Sequence, residues 1–263
     1  MKKRLDQILT DLGHFPSREK AQRAIMAGLV LVNGKRKDKP GFKTDAAACI
    51  EVMGTACPFV SRGGIKLEKA LHVFSIDPAG KTAADIGAST GGFTDCLIKK
   101  GAAKVYAVDV GYGQLDWSLR NDPRVVVLEK TNARYLSPLL IPESVDLATI
   151  DVSFISLAKI WPAISGLLKP GGDIVALIKP QFEAGKNLVA RGVIRDPRIH
   201  RDTLSRIIKD LQNTGWYLRG LDYSPLLGPE GNREFLSCWK REEDKFDIPS
   251  CIDDVVERAY AEL

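Results

Sequence analysis

The residues best suited to chemistry begin at Asp85, in the run Asp85-Ile86-Gly87-Ala88-Ser89-Thr90-Gly91-Gly92-Phe93-Thr94-Asp95. Ahead of it, Lys81-Thr82-Ala83-Ala84 leads into a buried-strand pattern; after it, Phe93, Leu97 and Ile98 fall on one side of a helix. Strand, glycine-rich turn and helix, in that order, present free backbone N–H groups to a ligand. Glycine is needed where the backbone turns sharply or a ligand comes close. The spacing here lacks the middle glycine of G-x-G-x-x-G, where Ser89 stands instead. No Gly-Lys-Ser/Thr closes the turn, so it is not a phosphate loop. The pattern fits a nucleoside cofactor without a pyrophosphate at the turn, and S-adenosylmethionine is the candidate.

A second signal lies downstream. Lys104–Asp109 reads as a strand ending in an acid, and a carboxylate there can accept from both ribose hydroxyls. The expected cofactor contacts are Asp85, Gly87, Ala88, Ser89, Thr90, Gly91, Gly92 and Phe93, then Asp109, Asn132, Ala133 and Asp151. Asn132-Ala133 follows the third strand, where adenine contacts are expected. Tyr112 packs either on adenosine or on core and surface.

The elements that must position these residues alternate. Strand patterns occur at Thr82–Gly87, Lys104–Asp109, Val125–Leu128, Val145–Asp151, Asp173–Ile178, Trp216–Tyr223 and Glu234–Trp239. Helix patterns lie between them, including Leu157–Leu168 and Arg198–Asn213, with a terminal helix over 252–263. Such alternation predicts an α/β fold, a doubly wound, mostly parallel sheet of seven strands. Ligands of such sheets bind outside the C-terminal strand edge, where Asp85, Asp109, Asp151 and Lys179 fall.

Four residues there match in type: Lys66 before the sheet, Asp151 after the fourth strand, Lys179 after the fifth, and Glu234 opening the last. Each has a plainer reading. Lys66 suits an exposed helix face, and Asp151 suits a helix cap ahead of Leu157. Lys179 is harder to set aside, because a lysine ending a buried apolar strand needs a partner. Glu183 rivals Glu234 for the acidic position.

The motifs around these four are Ser61-Arg62-Gly63-Gly64-Ile65-Lys66-Leu67, Asp151-Val152-Ser153-Phe154-Ile155-Ser156, Ile178-Lys179-Pro180-Gln181-Phe182-Glu183 and Gly231-Asn232-Arg233-Glu234-Phe235. On them the chain resembles the FtsJ-like ribose methyltransferases, which use a Lys-Asp-Lys-Glu tetrad. The resemblance implies that Lys66, Asp151, Lys179 and Glu234 are the catalytic set. A ribose 2′-hydroxyl is a weak nucleophile, and a desolvated lysine can take its proton or stabilise the forming alkoxide. Lys179 is the choice for that role, with Asp151 and Glu234 orienting it. Lys66 would orient the hydroxyl or bind the adjacent phosphate.

Charge sets the first quarter of the chain apart. Residues 1–60 hold 11 Lys/Arg against 6 Asp/Glu, and the remainder holds 27 of each, so the net charge of +5 lies in this segment. Such asymmetry suggests a basic module with a polyanionic partner. Leu5, Ile8, Leu9 and Leu12 make a short helix ended by Gly13. Ser17 caps a second helix, which buries Ala21, Ala24 and Ile25 and stops at Gly28. Leu29–Val32 is a strand, Asn33-Gly34 a hairpin turn, and Cys49–Val52 a closing strand after a polar, lysine-rich loop.

Residues 2–53 resemble the S-four-type RNA-binding module, on Arg4-Leu5-Asp6, Ser17-Arg18, Gln22-Arg23-Ala24-Ile25, Gly28-Leu29-Val30 and Val32-Asn33-Gly34. That resemblance implies RNA contacts from Arg4, Arg18, Lys20 and Arg23, with Lys35, Arg36 and Lys37. They would neutralise phosphates and give salt-dependent affinity. Residues 54–58, Gly54-Thr55-Ala56-Cys57-Pro58, read as a linker, and 59–263 as the second domain. Taken together, the motifs are similar to the TlyA family, whose older name is haemolysin A. This implies methylation of ribosomal RNA, held within ribosomal subunits, with S-adenosylmethionine as cofactor.

Other classes fit less well. There is no run of eighteen uncharged apolar residues for a membrane span, and Asp6 and Asp11 interrupt any signal-peptide core. This weighs against a pore-forming haemolysin. A non-catalytic ribosome-assembly factor would not need all four tetrad candidates. Cys49, Cys57, Cys96, Cys238 and Cys251 are scattered without C-x-x-C spacing, as expected of a cytoplasmic protein. His14, His72 and His200 lack metal-site spacing, so no metal is expected. The oligomeric state is not legible.

Overall fold

In the computed structural model, residues 2–15, 17–26, 28–45, 48–52, 57–185, 189, 192–243 and 247–263 are described. They form two compact units, Met1–Ile65 and Lys66–Leu263. Most of the expected linker, residues 54–56, lies outside the described residues.

The first unit contains β1 (Lys2–Arg4), α1 (Leu5–Asp11), α2 (Arg18–Met26), β2 (Val30–Val32), β3 (Lys35–Lys37), β4 (Lys43–Asp45) and β5 (Ile50–Val52). Leu5, Leu9, Ala21, Ala24, Ile25, Val30 and Val32 close its core. The Ser17 hydroxyl accepts the Lys20 N–H at 3.3 Å, as a cap should. Asn33 and Gly34 take φ of 51° and 71°, the turn that matches the twist of a two-residue hairpin. The expected polar loop over residues 35–48 instead carries two strands. β3 extends a three-stranded sheet of order β3-β2-β5, and β4 pairs with β1. The sequence hides them because Lys-Lys-Arg, Lys-Arg-Lys and Lys-Thr-Asp show no apolar alternation.

The division between units falls within α3 (Gly63–Val73). The second unit then runs β6 (Thr82–Ile86), α4 (Gly92–Lys99), β7 (Lys104–Val108), α5 (Trp117–Arg120), β8 (Val125–Leu128), β9 (Val145–Ile150), α6 (Trp161–Ser165), β10 (Leu168–Ile178), α7 (Pro180–Glu183), α8 (Pro197–Gln212), β11 (Tyr217–Tyr223), β12 (Phe235–Lys240) and α9 (Ile248–Glu262). Its seven strands are ordered β11-β12-β10-β9-β6-β7-β8, and β12 alone is antiparallel to its neighbours. This is the doubly wound, mostly parallel sheet that the strand and helix alternation predicts. The inner half of β10 is buried without alternation, as befits a strand covered on both faces. Trp161 packs edge-on against Trp216 and Trp239 beneath it.

The helix expected over Leu157–Leu168 is a shorter affair. A 3₁₀ turn at Leu157–Lys159 precedes α6, and β10 already begins at Leu168. Pro162 sits in the first turn of α6, where its missing N–H is tolerated, whereas a helix running through from Leu157 would need that N–H for the Ala158 carbonyl.

Candidate active site

Five strand ends place five residues in a row. Along the order β7, β6, β9, β10, β12 stand Asp109, Gly87, Asp151, Lys179 and Glu234, each one residue beyond its strand. At about 4.8 Å per strand, the row spans roughly 19 Å.

The glycine turn is built by close approach. A Cβ on Gly87 (φ +87°) would sit 2.4 Å from the Asp151 carbonyl oxygen, and one on Gly91 (φ +94°) would sit 2.3 Å from Leu119 Cδ1. Ser89, standing where a glycine usually does, adopts a left-handed φ of 48°. That conformation costs a non-glycine residue roughly 1–2 kcal/mol. The turn offsets it with two contacts. The Ser89 N–H donates to Asp109 Oδ2 at 2.8 Å, and its hydroxyl to Gln114 Oε1 at 3.3 Å. Asp109 Oδ1 accepts the Gly111 N–H at 2.6 Å. Each oxygen keeps a second lone pair for a ligand hydroxyl.

A cleft of about 520 Å³ opens over this turn. Of the expected cofactor contacts, Gly87, Ser89, Asp109, Asn132, Ala133 and Asp151 line it, while Ala88, Thr90, Gly91, Gly92, Phe93 and Asp85 do not. Of those six, Thr90 is half-buried and the other five are buried. Phe93 is buried in the core, and Asp85 is fully buried beneath the loop. Asp85 accepts from the Thr94 hydroxyl at 2.6 Å and the Thr149 hydroxyl at 3.3 Å. Burial, only partly offset by the Thr94 bond, pushes its carboxyl up to about 7. Tyr112 lies outside the cleft wall, 71% exposed, with the Lys130 ammonium 4.5 Å from its ring centre. The cleft is also lined by Val110, Gln114 and Thr131, which the sequence reading missed, and by Val152, Ser153, Phe154 and Ile155, which it quoted as a motif without giving them a place in the cleft. They sit in irregular segments, where no periodicity marks them.

The four tetrad candidates form two ion pairs. Lys179 Nζ lies 2.6 Å from Asp151 Oδ1 and donates to Ser153 Oγ at 3.0 Å. Lys66 pairs with Glu234 in a site where their side chains are only 6% and 1% exposed. Lys66 is therefore a buried residue of α3, not a solvated one. α3 is fixed near this point by Lys69, which donates to the Tyr223 carbonyl at 2.7 Å and pairs with Asp222 at 2.9 Å. Gly228 passes so close to Glu234 that a Cβ there would fall 2.3 Å from Oε1. Asn232 ties the preceding turn down, accepting the Ile194 N–H at 3.2 Å and donating to the Gly192 carbonyl at 2.9 Å. Glu183, the rival acid, serves elsewhere. It accepts the Leu157 N–H at 2.8 Å, the cap that Asp151 does not provide, and burial holds its carboxyl above the usual range.

Beside Lys179, Phe154 has a left-handed φ of 64° and is 90% exposed. Its ring packs on Phe182 of α7, with centroids 4.8 Å apart.

In the first unit, buried Asp6 collects Arg4 (2.9 and 3.0 Å), Arg18 (3.1 Å) and Gln22 (2.7 Å). The Arg4 bond does most to hold its carboxyl well below the usual carboxylate range. Arg4 and Arg18 thus have structural work, whereas Lys20, Lys35 and Arg36 are exposed. Arg23 pairs with Glu19 at 2.6 Å, and the Lys37 ammonium lies 4.5 Å from the Phe42 ring centre. Among the described residues no group of three or more His, Cys, Asp or Glu is placed to hold a metal ion. Nor is any of their helices long and apolar enough to cross a membrane.

Comparison with known proteins adds the relationship. Residues 59–241 match the FtsJ-like methyltransferase family, and residues 3–46 match the S4 domain. YqxC of Bacillus subtilis (strain 168) is 52% identical over 89% of this chain and 84% of its own. The 16S/23S rRNA (cytidine-2'-O)-methyltransferase TlyA of Mycobacterium tuberculosis (strain ATCC 25618 / H37Rv) is 45% identical over 98% of this chain and 97% of its own. A solved Streptococcus thermophilus structure that bears a hemolysin name superposes with a TM-score of 0.80 at 45% identity, covering 99% of this chain and 96% of that one. With an S4 match and an FtsJ-like match in one chain, and such identity over nearly its whole length, the protein belongs to the FtsJ-like methyltransferases, in the TlyA (haemolysin A) family.

Proposed function

We propose that the protein transfers a methyl group from S-adenosylmethionine to a ribose 2′-hydroxyl of ribosomal RNA, acting on ribosomal subunits in the cytoplasm. One observation carries this reading: Asp151 belongs both to the cofactor-sized cleft and to the ion pair with Lys179. A cofactor held over the glycine turn would therefore lie beside a lysine that can handle a proton.

The cleft suits the cofactor. Its volume is that of a small-molecule site, roughly 300–1,000 Å³. Gly87 leaves room where a side chain would collide, and Asp109 offers two lone pairs at the ribose position. Bound there, S-adenosylmethionine supplies a methyl group on a positively charged sulfur. The remaining tasks fall to the protein. Lys179, once its ammonium has released a proton to solvent, receives the proton that the hydroxyl sheds, and Asp151 holds the ammonium so restored. Lys66 and Glu234, nearly closed off from water, brace the end of the row instead of touching substrate. Much of the rate comes from holding both reactants in register. The exposed Phe154 ring offers a surface on which an unstacked base can lie.

Residues 1–53 would hold the RNA, residues 54–58 would connect, and residues 59–263 would carry the chemistry. Lys20, Arg23, Lys35, Arg36 and Lys37 would meet phosphates, joined by the outward N–H groups of Arg4 and Arg18. The relative named as an rRNA (cytidine-2'-O)-methyltransferase supports the choice of RNA. The test is incorporation of label from methyl-labelled S-adenosylmethionine into purified ribosomal subunits, followed by mapping of ribose methylation. Label on ribose supports the proposal. Cofactor binding with no label on subunits or free rRNA would reject ribosomal RNA as the substrate.

A further inference from the structure

We propose that Ser153 is a positioning residue for Lys179, fixing the direction in which the lysine nitrogen presents its lone pair. The inference rests on the reading of Lys179 as the proton acceptor. A neutral lysine amine has two N–H bonds and one lone pair in a tetrahedral arrangement. A single partner leaves that nitrogen free to swivel about one axis. Two partners on fixed backbone leave only the third corner. Ser153 Oγ, which accepts an N–H at 3.0 Å, and Asp151 Oδ1, 2.6 Å away at ion-pair distance, are those two partners. With the nitrogen held between them, the lone pair of the deprotonated amine occupies the remaining corner. After proton uptake the new N–H occupies the same corner, and neither partner has to move.

The geometry around Ser153 supports the assignment. Asp151 and Ser153 both line the cleft, and Lys179, which does not, meets both of them with a side chain only 11% exposed. The turn carrying Ser153 is secured to α7, which starts directly after Lys179, by the Phe154–Phe182 contact. Phe154 holds a left-handed backbone at that point, so the turn is a fixed structure and not an extended strand end. Of the other charged groups along this edge, Asp109 accepts from the Ser89 and Gly111 N–H groups, Lys66 and Glu234 are paired with each other, and Asp85 is buried below. Ser153 is thus the neutral partner in a charged row.

The experiment compares S153A, S153T and K179A with the unaltered chain in methyl transfer to ribosomal subunits, between about pH 6 and 9. The binding constants for S-adenosylmethionine and RNA are measured in parallel. S153A is expected to lower kcat by about 10–100-fold with KM values within about twofold. S153T keeps a hydroxyl and should recover most of kcat. An inactive K179A beside an S153A of unchanged kcat overturns this proposal alone. A loss in S153A that S153T does not rescue, accompanied by weaker cofactor binding, also overturns it. A fully active K179A overturns the role of the lysine and this proposal with it.

Discussion

Lys179 and Glu234 stand at the next positions beyond the antiparallel pair Ile178–Phe235, side by side on neighbouring strands, yet each takes a different partner. Lys179 turns to Asp151 at the edge of the cleft, and Glu234 turns to Lys66 in the interior. The two ion pairs therefore differ in what their loss should do. Glu234→Gln leaves the Lys66 ammonium buried without a counter-charge, a change that typically destabilises by 3–5 kcal/mol, about a third or more of a domain's stability. Glu183→Gln keeps a hydrogen-bond acceptor for Leu157 and should cost under about 1 kcal/mol with transfer retained. Denaturant unfolding of both variants, alongside transfer assays, checks the contrast. Equal stability of the two would refute it.

Lys179→Ala should behave in the opposite way. Asp151 is 21% exposed, so water can solvate it once the lysine is gone, and the loss of stability should stay below about 1 kcal/mol. Methyl transfer should fall by at least ~10²-fold, the usual effect of removing a general base. Cofactor affinity and RNA affinity, measured by calorimetry and filter binding, should hardly change. A variant that keeps the full rate would remove Lys179 from the chemistry.

What the sequence revealed and what it hid follow one physical rule. The inner strands were readable because burial on both faces demands uninterrupted apolar runs such as Ile174–Ile178. Strands β1, β3 and β4 carry mostly charged, exposed side chains without apolar alternation, so no pattern announces them. The acids at strand ends were readable as a group, but their partners were not. Whether Glu183 or Glu234 faces a lysine depends on the register of β10 against β12, a long-range fact. Gln114 escaped notice, and Ser153 and Asp6 stood in quoted motifs without a role, for a related reason: each matters through a contact with a residue distant in the fold or in an irregular loop.

Gly87→Ala tests the turn itself. The added methyl would meet the Asp151 carbonyl at 2.4 Å, backbone that cannot swing aside, and the φ of +87° is unfavourable for any side chain. Overpacking and backbone strain together should destabilise the fold by about 2–4 kcal/mol. Displacing Asp151 should weaken cofactor binding at least ~10-fold, measured by calorimetry. Ser89→Gly is the companion change. It relieves a left-handed serine but loses the hydroxyl contact to Gln114, so stability should shift by less than ~1 kcal/mol. A G87A protein with wild-type affinity and stability would show that the close approach is not needed.

Asp85 predicts a pH dependence of stability. Its folded carboxyl is raised to about 7, while in the unfolded chain it titrates near 3.9. Between those values the folded state holds more protons than the unfolded state, so this group makes stability fall as pH rises from about 4 to 7. Three pH units correspond to a ceiling of ~4 kcal/mol, and relaxation of the site should reduce it to about half. Asp85→Asn, which can still accept from Thr94, should flatten that slope and gain stability at about pH 8 relative to the unaltered chain. Unfolding free energies of both proteins across this range decide the matter. Parallel curves would mean that Asp85 is ionised in the folded protein at all these pH values.

The RNA-binding face calls for substitutions that leave Asp6 alone. Arg18→Glu would place a second carboxylate against buried Asp6 and break its ion pair at 3.1 Å. It should unfold the first unit's helix pair, and any loss of RNA binding would then be ambiguous. Lys20→Glu combined with Lys35→Glu avoids this, because both side chains are exposed on α2 and the hairpin. Thermal stability should stay within about 0.5 kcal/mol of the original. Two lost phosphate contacts should lower the slope of log affinity against log salt by roughly 1.5–2 in magnitude. Binding should weaken similarly for different RNA sequences, since phosphates carry no base information. Titrations at several salt concentrations measure the slope directly. An unchanged slope with unchanged affinity would move the RNA-binding face away from α2 and the β2–β3 hairpin.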